Sequence, residues 1–365
     1  MRAFEPSADI SERERDRAAA PAAPAAQDAA ASAMPPDSVW RRFAVTFIAA
    51  FFGGLGSIYA ALVLIDPYDT GRFPTFMRPG VVDGNQRTAS ASRGRDPRFN
   101  AAVIGNSRGQ LLDPQLLSQA TGLDFVQLTT PGSGPIENMT MMRYFMRHHS
   151  RIAAVVLSAD ERWCGHDPSL PVIFPFPFWL YRGDLEYLEH LLSTRAIAAA
   201  RNRIELAVGL MPPTDPRGYS DYETGRVWNF HPGIAGAPTD ADTAYASVLS
   251  PNTYFPALAE LDAVLATLPS DTGFVIVMPP VYQAMLAHPG TQLAADLLAC
   301  KAELARRVTD RERSGFLDFL VDGPISRDPE NFMDPQHYRM NIARMIEARI
   351  AAVLTQGPAA HAIVR

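Results

Sequence analysis

The chain has 365 residues, 47% of them hydrophobic and 20% charged, with a formal net charge of −6. That balance excludes a wholly disordered chain, and the negative charge gives no electrostatic case for a nucleic-acid partner. The 31 prolines point to long irregular connections between elements.

Residues 1–39 read as a disordered cytoplasmic segment. A charged run at 11–17 and an Ala/Pro-rich run at 18–36 hold too little bulky apolar surface to offset the entropy of ordering. Residues 40–66 read as a membrane anchor. Its uncharged stretch, 43–65, is roughly 23 residues long, enough to cross the ~30 Å hydrocarbon core. A core helix of that length usually carries a polar face, and a cleaved signal peptide has a shorter apolar run behind a shorter leader. Arg41 and Arg42 precede the stretch, and Asp66 and Asp69 follow it. The positive-inside rule then puts the N-terminus in the cytoplasm and the main domain outside, in the periplasm of a Gram-negative cell. Gly53, Gly54 and Gly56 would let a second helix approach closely. Residues 67–98, rich in Pro, Gly, Arg and Ser and without sustained periodicity, read as a juxtamembrane linker.

A regular pattern begins at 99 and runs to 356, leaving 357–365 as a tail. Short runs apolar throughout, at 100–105, 123–128, 152–158, 274–278 and 316–320, have the length and flanks of buried strands. Helices are expected at 113–120, with Asp113 as N-cap and Pro114 at the first position, and at 136–149, 293–308 and 338–354. The last should be amphipathic, with Ile342, Met345, Ile346, Ile350 and Val353 on one face. This alternation predicts an α/β domain: a three-layer, flavodoxin-like sandwich around a central parallel sheet. An insertion at about 165–271 separates the third and fourth strands. It carries the run Phe174-Pro175-Phe176-Pro177-Phe178-Trp179, a helical stretch at 185–210 and an aromatic, polar run at 219–231. The two cysteines, Cys164 and Cys300, are compatible with a disulfide in an exported domain or with two buried thiols.

Two motifs bracket this domain. Gly105-Asn106-Ser107-Arg108 puts a serine directly after the first strand, and Asp334-Pro335-Gln336-His337-Tyr338 puts an aspartate three residues before a histidine. A hydroxyl nucleophile, an imidazole base and a carboxylate to orient it are the minimum set for serine acyl chemistry. Ser107, the Gly132-Ser133-Gly134 turn, Asp160 and the 334–337 motif all follow strands, so they should converge at one edge of the sheet, where such folds bind ligands. His148, His149 and His166 lack further ligands at metal-site spacing, so no metal is expected.

Over residues 100–354 the chain resembles the SGNH (GDSL) hydrolase superfamily, and within it the membrane-anchored SGNH-like proteins of bacterial envelope polysaccharide O-acylation. The resemblance rests on the GNSR, GSG and DPQH motifs and on their order. It implies Ser107 as nucleophile, His337 as general base and Asp334 as its orienter. It also implies backbone oxyanion donors at Ser107 and in the Gly132–Gly134 turn, no cofactor, an envelope polysaccharide or oligosaccharide as substrate, and a multi-pass membrane partner as acyl donor if the enzyme is a transferase. The sequence departs from that pattern twice. Asn106 replaces the usual aspartate, and Asp160 stands where the superfamily's asparagine donates to the oxyanion. An ionised Asp160 would repel that charge, leaving Arg108 or Arg162 to supply a positive one. A lost donor costs ~3–4 kcal/mol of transition-state stabilisation. These departures keep a second reading open: a catalytically weak glycan-binding or assembly component of an envelope complex.

Overall fold

The computed structural model describes residues 36–81, 85–170, 172–228, 230–231, 254–356 and 362–363. It divides into two units, Met1–Gly54 and Leu55–Arg365. Most of the first 39 residues, and part of the 165–271 insertion, lie outside the described residues.

Helix α1 spans Asp37–Ile65, and its most apolar window has a mean hydropathy of 2.1. It is long and apolar enough to cross a membrane.

The second unit is an α/β domain. Five parallel strands, β1 (Ala101–Gly105), β2 (Phe125–Thr129), β3 (Ala154–Ser158), β4 (Gly273–Met278) and β5 (Gly315–Asp318), lie in the order β2-β1-β3-β4-β5. Every residue in them is buried, which is why they are mainly apolar, with Gln127, Thr129, Ser158 and Asp318 the polar exceptions. Alternate side chains feed two cores. Ala102, Ile104, Val155, Leu157 and Ile276 point to one, and Ala101, Val103, Val156 and Val277 to the other. The strand order reverses between β1 and β3, and ligands in open parallel sheets bind at that point, beyond the strands' carboxyl ends.

Helices cover both faces. On one side lie α4 (Pro135–His148), α8 (Pro256–Leu265) and α9 (Gln292–Thr309). On the other lie α3 (Pro114–Thr121) and α11 (Met340–Gln356), the latter preceded in the chain by the one-turn α10 (Pro324–Arg327). Helix α3 starts as its sequence dictates: Asp113 caps the N–H groups of Gln115 and Leu116, Pro114 opens the first turn, and Gly122 ends it at φ 73°. Helix α11 buries Ile342, Ile346, Ile350 and Val353, whereas Met345, at the edge of that stripe, is largely exposed. A two-residue strand, Ala362–Ile363, pairs with β5 within the stretch read as a tail.

The stretch read as a linker holds a nine-residue helix, α2 (Gln86–Gly94), whose buried positions are Ala89, Ser90, Ala91, Ser92 and Gly94. Residues this small leave no apolar periodicity to find. Beside it Asp66 and Asp69, both at positive φ, are fully buried and saturated with donors. Asp66 accepts from Thr70, Gly71 N–H and Tyr187 at 2.7–2.9 Å. Asp69 accepts from Ser92 at 2.6 Å, Gly80 N–H at 2.7 Å and the buried Arg203 at 2.9 Å, with Arg95 alongside. Arg203 also donates to the carbonyls of Ile65 and Arg78. It comes from the insertion, whose helical stretch is two helices, α6 (Asp184–Leu191) and α7 (Thr194–Ala207), joined at Leu192 and Ser193. A short α5 (Phe178–Tyr181) precedes them.

Cys164 and Cys300 form a disulfide with Cα atoms 5.7 Å apart, tying the exit of β3 to α9. Closing a loop with a sequence separation of 136 contributes about 5 kcal/mol in the chain-entropy account.

Candidate active site

The turn after β1 places Ser107. Asn106 leaves the strand in an extended conformation and caps the 3-10 turn Ser107–Gly109 through its side-chain oxygen, 2.9 Å from the Arg108 N–H. Two glycines make the turn fit. A Cβ on Gly105 would meet Ser158 Cβ at 2.7 Å, and one on Gly109 would meet it at 2.8 Å. The backbone around Ser107 can lie this close to β3 only without those side chains.

Asp334 and His337 face each other across a small hairpin, Phe332–Asp334 against His337–Tyr338, ahead of α11 rather than within its first turn. Pairing across the hairpin fixes their geometry. His337 Nδ1 lies 2.8 and 3.0 Å from the two oxygens of Asp334, and His337 Nε2 lies 2.8 Å from Ser107 Oγ. Asp334 Oδ1 also accepts the N–H groups of Gln336 and His337 at 2.8 and 3.0 Å. Burial opposes the charge on Asp334, but the hydrogen bond and charge of His337 and these two N–H groups outweigh it and hold its carboxyl below the usual range. An ionised Asp334 accepts from Nδ1–H, which leaves the Nε2 lone pair facing the serine hydroxyl. Residues 230 positions apart thus form one hydrogen-bonded line.

No protein-family model and no curated protein matches the chain.

The insertion completes the wall around this line. Tyr222 donates to the Ser107 carbonyl at 3.3 Å and sets its ring edge-on to His337, 6.3 Å between centroids. Glu223 accepts from Arg339 Nε at 2.8 Å and the Met340 N–H at 2.5 Å, pinning the segment that follows His337. Tyr338, fully buried, donates to the Arg108 carbonyl. The sequence shows 219–231 only as an aromatic, polar run; contacts spanning more than a hundred residues leave no local signature.

Behind the serine, Asn106 donates to Asp160 Oδ2 at 2.6 Å, and Arg162 clasps the same carboxylate through Nε at 2.7 Å. Burial opposes the Asp160 charge; Arg162 and Arg108 overcome it and hold its pKa below the ordinary value. Asp160 also caps the 3-10 turn Glu161–Cys164. With its oxygens spent on Asn106 and Arg162, it acts as a brace between the turns after β1 and β3. Arg108 is buried and paired with Glu161 at 2.7 Å, so its charge is answered inside the protein. Arg162 reaches the Gly132 carbonyl at 3.2 Å, joining the third turn to the same brace. Trp163, fully buried, belongs to the core.

The Gly132–Gly134 turn divides in two. Gly134 N–H donates to Glu137 Oε2 at 2.7 Å as part of the N-terminal cap of α4, so it does not point at an incoming oxygen. Gly132 sits at φ 72°, where glycine is favoured, and a Cβ there would meet the Phe174 ring at 2.9 Å. The half-exposed Ile173 and Phe174 therefore form an apolar rim over Gly132. The arrangement is a serine hydroxyl hydrogen-bonded to an imidazole that a carboxylate orients, beside a glycine turn and an apolar rim.

Proposed function

We propose that this chain is a membrane-anchored serine acyl-esterase or O-acyltransferase acting on an envelope glycan. The observation that carries the reading is the hydrogen-bonded line Ser107 Oγ to His337 Nε2, with Asp334 on Nδ1, at 2.8 Å for each of its two steps. The strand order and the helices on both faces suit a flavodoxin-like SGNH sandwich. The helix Asp37–Ile65 suits a single-pass inner-membrane anchor with a cytoplasmic N-terminus and a periplasmic domain.

In this mechanism Ser107 Oγ attacks the acyl carbonyl carbon while His337 Nε2 takes the hydroxyl proton. The negative charge on the carbonyl oxygen is met by the N–H groups of Ser107 and Gly132. Collapse breaks the bond to the leaving group, which takes the proton from His337. A sugar hydroxyl or water then attacks the acyl-serine, His337 accepts its proton, and Ser107 recovers it on release. Asp334 keeps the imidazole in one tautomer and offsets its charge when protonated. A transferase of this kind needs a donor, and a multi-pass membrane partner would deliver it.

A second reading, a catalytically weak glycan-binding component, is favoured by two observations. Asp160 offers no neutral donor, and Gly134 N–H is held by Glu137. Fluorophosphonate labelling of the full-length protein in detergent, with peptide mapping, separates the readings. In that reaction Ser107 Oγ bonds phosphorus and fluoride leaves. Modification of Ser107 that disappears in S107A and H337A supports the enzyme. An unlabelled, folded protein supports the binding component.

A further inference from the structure

The last turns of α1 enter the second unit and are held there. Leu62 is buried, Tyr59 donates to the Leu188 carbonyl at 3.1 Å, Thr75 donates to the Leu64 carbonyl at 2.7 Å, and Arg203 donates to the Ile65 carbonyl at 2.8 Å. These bonds place α6, α7 and the 72–80 loop around the point where the apolar helix meets the domain.

The outward faces of those elements carry large exposed apolar side chains, with Asp184, Glu189, Arg195 and Arg201 among them. Leu64, Phe76, Leu185, Ile197, Ile204 and Val208 are between 44% and 77% exposed. On α7 the inward positions are Ala196, Ala200 and Arg203, while Ile197 and Ile204, two turns apart, share the outer side with Val208 just beyond the helix end. Arg201, largely exposed, stands on that same side, and Arg195 is exposed at the start of the helix. An amphipathic helix with apolar side chains outward and arginines among them suits the boundary between lipid headgroups and acyl chains. A scattered exposed leucine needs no explanation, but six large exposed apolar side chains on the last turns of α1 and on the elements bonded to them do.

We propose that this face lies on the lipid bilayer, so that the domain is seated on the membrane surface rather than tethered above it. The occupant is lipid because the patch is continuous with α1: Leu64 is exposed on its last turn, and Phe76 and Ile204 adjoin residues bonded to Leu64 and Ile65. Acyl chains cover the apolar side chains, and lipid phosphates meet Arg195, Arg201 being paired with Glu205 at 2.7 Å. The inference is independent of the acyl-transfer reading.

The test uses the full-length chain in nanodiscs of phosphatidylethanolamine and phosphatidylglycerol. A nitroxide is attached at I204C, at V208C and, as reference, at L116C. Leu116 is exposed on α3, across the sheet from α6 and α7, and the native cysteines are closed in a disulfide. Lipid contact predicts an oxygen-to-nickel-chelate accessibility ratio several-fold higher at 204 and 208 than at 116. Equal ratios at the three sites would place the patch in water, and exclusion of both reagents at 204 and 208 would place a second protein copy on it; either result overturns the proposal.

Discussion

Two carboxylate clusters in this protein use the same chemistry to opposite ends. At the head of the domain Asp66 and Asp69 are fully buried, ringed by hydroxyl and backbone donors and by Arg203. Every oxygen is spoken for, and the guanidinium of Arg203 offers only donors. At the edge that holds Ser107, Asp334 is 43% exposed and its partner is an imidazole, which has one ring nitrogen to donate and another to accept. The difference lies in burial and in the choice of base: a guanidinium locks a carboxylate, whereas an imidazole lets it orient a moving proton.

Substitutions should separate the two clusters, those in the proposed triad first. Ser107→Ala removes the nucleophile and should lower acyl transfer by about 10⁵–10⁶-fold, read by turnover of an aryl acetate, with little change in melting temperature. Asp334→Asn keeps the shape but frees the imidazole to adopt the wrong tautomer; about 10⁴-fold should be lost, again without unfolding. Arg203→Met should do the reverse. It leaves Asp69 with Arg95 as its one remaining cation beside the buried Asp66 and should cost about 3–5 kcal/mol in denaturant unfolding, while any protein that stays folded retains its Ser107 reactivity.

Glu347 tests a third kind of carboxylate. Burial pushes it up to about 7, and the Asp113 N–H and Arg344, 2.9 Å away, oppose that without cancelling it. The folded state therefore binds the proton more tightly than the unfolded one, and stability should fall as pH rises from about 4.5 to about 7. Glu347→Gln should flatten that window and gain about 1–3 kcal/mol at pH 8 in melting experiments. Asp334 has the opposite sign: its lowered pKa contributes stability above the ordinary 3.8 that is lost as pH falls below it. The smallest effect is expected from Tyr222→Phe. Losing the 3.3 Å bond to the Ser107 carbonyl should slow fluorophosphonate labelling about 2–10-fold.

The parts of this molecule that were legible beforehand are those whose physics is local. Strands buried on both faces are mainly apolar, and β1 and β4 are so throughout. A capped helix announces itself through Asp113 and Pro114. Ser107, Asp334 and His337 are legible because strand ends bring them to one edge. What stayed hidden depends on distant partners or on small residues. Helix α2 buries alanine and serine, the Asp334–His337 hairpin is too short for a strand pattern, and Tyr222 and Glu223 reach the site from far along the chain. The Asn106–Asp160 bond turns two apparent departures from the SGNH pattern into one brace, which no single position reveals.

The bond between Cys164 and Cys300 also governs how the protein would respond to a protease. The whole insertion, 165–271, lies inside the covalent ring it closes. A cut at any single peptide bond between 165 and 299 therefore leaves the serine-bearing and histidine-bearing halves joined. Nicked protein would migrate as one species on a non-reducing gel and as two after reduction.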